Sequence, residues 1–210
     1  MKKYLVELFG TFFLVLTIGS TVMAPNDAGA MAPLAIGAVL MALVFAGGHV
    51  SGAHYNPAVT LAVFLRGKCA GAEVPGYIVA QCAGAAAAAI VVAFLKGNPT
   101  VTPMQIDVTR ALVAEFLFTF ALCSVVLNVA TSKGTGGNSF YGLAIGFTVL
   151  AGAYSVGAVS GGAFNPAVAL GATIMGLFNA ANIWVYLLAS VAAAGAAAAF
   201  FKLVAPDGSD

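Results

Sequence analysis

The sequence predicts an all-α membrane protein in which six transmembrane helices and two re-entrant half-helices form an inverted repeat. Three observations carry that prediction. Of the 210 residues, 61% are apolar and only 7% are charged, against about 25% charged in a typical soluble domain. The apolar residues form long unbroken runs such as Ala83 to Leu95, without the alternation that a spanning β-barrel requires. The chain also matches itself. Shifted by 109 residues, Leu34–Leu61 lies over Leu143–Leu170 without a gap, and 14 of the 28 positions are identical.

The composition excludes several functions at once. Eight basic and seven acidic residues, with a net charge of +1, cannot cover the surface of a soluble fold of this size. A soluble enzyme, a nucleic-acid binder and a disordered chain are ruled out on that count. Cys69, Cys82 and Cys123 show no CxxC spacing. An odd, scattered set predicts buried inert thiols, with neither disulfides nor structural zinc.

A spanning helix needs about 20 mostly apolar residues. Glycine, proline and charge punctuate the chain so that spans fall at about 4–23, 32–50, 76–95, 109–130, 140–158 and 181–203. The first could be mistaken for a signal peptide, because Lys2 and Lys3 precede an apolar run and Ala28-Gly29-Ala30 follows it. Glu7 interrupts that run and the segment has a counterpart later in the chain, so it reads as a retained span. Two further apolar stretches, 57–66 and 166–176, are too short to cross. Each begins at Asn-Pro, and proline suits the first turn of a helix, where its missing N–H leaves nothing unpaired. Both read as half-helices that enter the membrane from a loop.

Six spans put both termini on one side, with Lys2, Lys3, Arg66, Lys68, Lys133 and Lys202; Lys96 and Arg110 lie opposite. The positive-inside rule places that basic side in the cytoplasm, in a plasma or inner membrane. The repeat divides the chain into 1–105 and 106–210, one channel domain in two halves. Glu7 in the first span matches Glu115 in the fourth, offset by 108. Three spans per repeat is an odd number, so the copies must be inverted about an axis in the membrane plane.

Inversion brings the two half-helix N-termini together near the midplane. Each carries roughly half a positive charge and unpaired N–H groups. With the amides of Asn56 and Asn165, they form a donor site that admits a neutral molecule bearing a lone pair and repels cations. Irregular backbone at that depth must line a wet cavity or be buried. The stretches Ser51-Gly52-Ala53-His54-Tyr55 and Ser160-Gly161-Gly162-Ala163-Phe164 are therefore expected to present carbonyls to a pore, those of Gly52, Ala53, His54, Gly161, Gly162 and Ala163.

The run Gly48-His49-Val50-Ser51-Gly52-Ala53-His54-Tyr55-Asn56-Pro57-Ala58-Val59, the second Asn165-Pro166-Ala167, and Glu7 and Glu115 together resemble the aquaporin, or major intrinsic protein, family over essentially the whole chain. The resemblance implies a passive channel for water and small neutral solutes, one pore per protomer, a homotetramer in the bilayer, and no cofactor. Family members usually carry Arg directly after the second motif; here the residue is Val168. By the same resemblance, Ile36, Ala153 and Gly162 complete the selectivity filter, where many water-selective members have an aromatic and a His at the first two positions. Loss of the Arg removes a fixed charge and several donors, so exclusion of protons and ions rests on the half-helix dipoles and the two asparagines. Four small or apolar filter residues imply a pore open to ammonia, hydrogen peroxide and urea as well as water. A glycerol facilitator is the alternative; Ala169, where glycerol-type members have Asp, argues against it, while Leu187 after Tyr186 departs from the aromatic pair of water channels. A secondary transporter of inverted-repeat type would need a coupling-ion site that this chain does not offer.

Glu7 and Glu115, symmetric and without a His or Lys in their spans, read as structural acceptors for loop N–H groups. His49 and His54, five apart and without nearby carboxylates or thiols, are a poor metal pair. His54 is expected to hold its loop and His49 to reach the cytoplasmic vestibule. Gly48/Gly52, Gly142/Gly146 and Gly157/Gly161 are small-xxx-small pairs expected at helix contacts.

Overall fold

A computed structural model describes residues 1–205; residues 206–210, the end of the second half as read from the sequence, lie outside the described residues. Eight α-helices follow in order: α1 Lys2–Val22, α2 Ala32–Ser51, α3 Pro57–Leu65, α4 Val74–Leu95, α5 Val108–Thr131, α6 Tyr141–Ser160, α7 Pro166–Ile174 and α8 Ile183–Val204. Six are long and apolar enough to cross a membrane. α3 and α7 have nine residues each. At about 1.5 Å per residue they reach roughly 14 Å, less than half of a hydrocarbon core about 30 Å thick.

The two halves are built alike. α2 and α6 end on glycines in the left-handed region, Gly52 at φ 85° and Gly161 at φ 91°, a conformation that a side chain disfavours. Each glycine N–H closes back on its helix, onto the Gly48 and Gly157 carbonyls. Three further residues, with Tyr55 and Phe164 in the left-handed region, then lead to Asn56 or Asn165, which cap the half-helices. Asn56 Oδ1 accepts from the Ala58 N–H at 2.8 Å, and Asn165 Oδ1 accepts from the Ala167 N–H at 2.9 Å. Proline follows at the first helical position in both. Motif and half-helix thus form one capping unit, used twice.

In lipid, helices associate through close van der Waals contact, because the tails are as apolar as the side chains. The main packing pairs are α1 with α4, α5 with α8, and α2 with α6. Glycine permits two of these approaches, α1 with α4 and α2 with α6. A Cβ on Gly84 of α4 would stand 2.4 Å from the Leu8 carbonyl oxygen of α1. Gly37 of α2 and Gly146 of α6 face one another, and a Cβ on Gly146 would meet the Gly37 carbonyl oxygen at 2.5 Å.

The glycine pairs expected at helix contacts divide in the structure. Gly142 and Gly146 are contact glycines, the former against Phe45 and the Met41 carbonyl. Gly52 and Gly161 are helix terminators, Gly48 has only ordinary clearance from Tyr141, and a Cβ on Gly157 would meet nothing within 4 Å. Spacing alone cannot distinguish a glycine that admits a neighbour from one that ends a helix. The cysteines also differ from expectation. Cys123 is buried, whereas Cys69 and Cys82 are only partly so; Cys69 lies in the loop after α3 and packs against the edge of the core.

Candidate functional site

Each half holds its extended segment by one buried carboxyl group. Glu7 on α1 accepts at Oε1 from Ser51 Oγ (2.7 Å) and the His54 N–H (2.9 Å). Its Oε2 accepts from the Tyr55 N–H (2.6 Å) and Gln81 Nε2 (2.8 Å). Glu115 on α5 accepts from Ser160 Oγ (2.7 Å), the Ala163 N–H (3.0 Å) and the Phe164 N–H (2.7 Å). Backbone donors at membrane depth have no water to fall back on, and these carboxyl groups supply the acceptors.

The Ser51 and Ser160 ends of the two segments are also tied by tyrosines. Tyr77 Oη donates to the Ser51 carbonyl and Tyr186 Oη to the Ser160 carbonyl, each at 2.7 Å. Sequence reasoning missed this pair, although the 109-residue offset that links Ser51 to Ser160 also links Tyr77 to Tyr186. Gln81 was missed as well. Its amide bridges Glu7 and Thr60 Oγ1 (3.0 Å), and the second half has Ser190 and Ala169 at the equivalent positions.

The two halves lock at their centre. Asn56 Nδ2 donates to the Phe164 carbonyl and Asn165 Nδ2 to the Tyr55 carbonyl, both at 2.9 Å. Each amide thus caps its own half-helix and fastens the other loop, with one N–H left over. The bonded carbonyls are those of the outer residues Ser51, Tyr55, Ser160 and Phe164. Among the described residues, no protein donor is recorded on the intervening carbonyls of Gly52, Ala53, His54, Gly161, Gly162 and Ala163.

His54 is held by Thr60, whose Oγ1 lies 3.1 Å from its Nδ1. Thr60 Oγ1 donates to the Asn56 carbonyl and accepts from Gln81. His49, expected in the vestibule, is exposed at the end of α2 and borders neither cavity described below. One helical residue past Gly48 it has turned away from the loop.

A cavity of about 340 Å³ lies at this level. Its wall includes Asn56, Asn165, His54, Ala53, Gly161 and Ala163, together with all four of Ile36, Ala153, Gly162 and Val168. Leu40, Val59, Leu122, Val149 and Phe178 complete much of its apolar face, and no Asp, Glu, Lys or Arg lines it among the described residues. Pro57, Ala58, Pro166 and Ala167 stand behind the wall, buried, as the first turns of α3 and α7. A second cavity of about 430 Å³ opens on the side of the N-terminus, with Ser51, Gly52, Lys3, Lys68 and Glu73 among its lining residues. His54 and Val126 border both cavities. Among the described residues lining the two cavities, charged side chains occur only in this second one, where Lys3 Nζ pairs with Glu73 at 2.8 Å.

Two half-helices capped by asparagine, six spanning helices and an uncharged channel between them define a membrane pore protein. Residues 1–201 match the family model described as major intrinsic protein, and the chain belongs to that family. It is a multi-pass membrane protein and a passive channel for small solutes. Similar proteins include aquaporin NIP1-4 of Oryza sativa subsp. japonica, 36% identical over 97% of this chain and 77% of that relative. Aquaporin NIP1-1 of Zea mays is 34% identical over 97% of this chain and 75% of its own length. The fold is similar to that of the X-ray structure of the aquaglyceroporin from Plasmodium falciparum, with a TM-score of 0.82, 23% identity, and coverage of 97% of this chain and 96% of that one.

Proposed function

We propose that Ile36, Ala153, Gly162 and Val168 form the selectivity filter, and that the filter admits water together with other small neutral solutes such as urea, ammonia and hydrogen peroxide. The observation that carries this reading is the convergence of these four residues with Asn56 and Asn165 on one cavity whose described wall has no charged side chain. A filter without Arg binds water and polar solutes less tightly and offers more room. Asn56 and Asn165, with the half-helix termini behind Pro57-Ala58 and Pro166-Ala167, supply the central donors, and the carbonyls of Gly52 to His54 and Gly161 to Ala163 supply acceptors. Cations and proton chains are excluded by the positive ends of α3 and α7. The channel performs no catalysis and needs no cofactor.

The two halves are 1–105 and 106–210, both termini are cytoplasmic in a plasma or inner membrane, and the protein assembles as a homotetramer. The clustering of Lys3 and Lys68 at the mouth on the N-terminal side supports that orientation. Solute-uptake assays in proteoliposomes test the solute range. Urea, ammonia and peroxide should enter faster than in empty vesicles; passage of water alone would overturn the reading. The similarity in fold to an aquaglyceroporin keeps glycerol as the second solute class, measured in the same panel.

A further inference from the structure

The aromatic side chain absent at Ile36 has a candidate substitute elsewhere in the wall. Phe178, in the connection after α7, lines the central cavity and is buried. Its ring stacks on Tyr186, with centroids 4.5 Å apart and planes 9° from parallel. Tyr186 is the residue whose hydroxyl holds the Ser160 carbonyl. The ring also meets Gly161, where a Cβ would stand 2.4 Å from a ring carbon. Only glycine lets the aromatic sit so close to the loop that carries Gly162.

Met104, from the α4–α5 connection, is fixed beside it. The Met104 N–H donates to the Leu177 carbonyl at 2.9 Å, and Met104 and Phe178 form an isolated parallel β-bridge. Met104 also lines the cavity. Two connections from different halves of the chain therefore meet at the pore, joined by backbone hydrogen bonding, on the side away from Lys3 and Lys68.

We propose that Met104 and Phe178 form an apolar collar outside the filter that limits the size of neutral solute reaching Val168. This inference rests on the filter reading above. The collar acts by bore alone, so it discriminates among uncharged solutes by cross-section and leaves charge exclusion to the half-helix termini. Met104 is the residue to vary, because it is only partly buried and its bridge is made by the backbone.

The test compares water, urea and glycerol permeability in proteoliposomes of wild type, Met104→Ala and Met104→Trp. Met104→Ala should raise the glycerol-to-water ratio severalfold, and Met104→Trp should lower it severalfold with a smaller fall in water flux. Unchanged ratios in variants that still conduct water would overturn the collar while leaving the channel and its filter intact. A wild type impermeable to both urea and glycerol would instead contradict the filter reading. A second readout uses Met104→Cys with a membrane-impermeant thiol reagent and wild type as the control for the native cysteines. Labelling should block flux in the variant only; a labelled variant that conducts normally would also overturn the collar.

Discussion

At Asn56 and Asn165 one amide caps a half-helix through its oxygen and binds the opposite loop through its nitrogen, so two residues that line the central cavity also hold the halves together. Glu7 has the complementary task, since its carboxyl group accepts from Ser51, His54, Tyr55 and Gln81. Glu7→Gln replaces an acceptor by a donor that faces other donors. Leaving buried donors unmatched costs about 1–3 kcal/mol each, so this variant should lose several degrees of thermal stability in detergent and much of its assembled protein. A stable Glu7→Gln with altered proton flux would point to a relay and contradict the structural role. Val168→Arg introduces a charge and a bulky fork into the proposed filter. Urea and glycerol uptake should fall sharply while water passage persists; an unchanged solute range would remove Val168 from the account.

Helix contacts depend on where glycine stands. Gly84 admits the backbone of α1, so Gly84→Val should abolish a monodisperse peak on size exclusion, consistent with an overpacking cost of at least about 1–3 kcal/mol. Gly157 faces open space, and Gly157→Ala should run as wild type; equal behaviour of the two variants would contradict the packing described. The sequence makes α3 and α7 plain, because Asn-Pro at the start of a short apolar run is a local capping signal. It also makes the carboxyl supports plain, because Glu7 and Glu115 are rare charges in apolar spans. The role of Gln81 was not legible, since a lone polar residue in an apolar helix acquires meaning only when α1 and α3 are placed beside it. The Met104–Phe178 bridge was equally hidden, because it joins residues 74 positions apart through backbone atoms that leave no side-chain pattern. The tyrosine pair was readable from the repeat offset but carries no local signal.

Across the whole molecule, the scarcity of charge has a spatial order. The described wall of the central cavity has no ionised side chain, the N-terminal mouth has Lys3, Lys68 and Glu73, and the two intramembrane carboxyl groups are consumed by loop donors. As a member of a channel family, the protein conducts solute down its gradient. Stopped-flow permeability to water and urea, followed over temperature and urea concentration in the same proteoliposomes, distinguishes the possibilities. Both fluxes should exceed those of empty vesicles, show a low activation energy, and rise linearly with gradient. Urea exclusion, or a urea flux that saturates with a steep temperature dependence, would contradict a permissive passive pore.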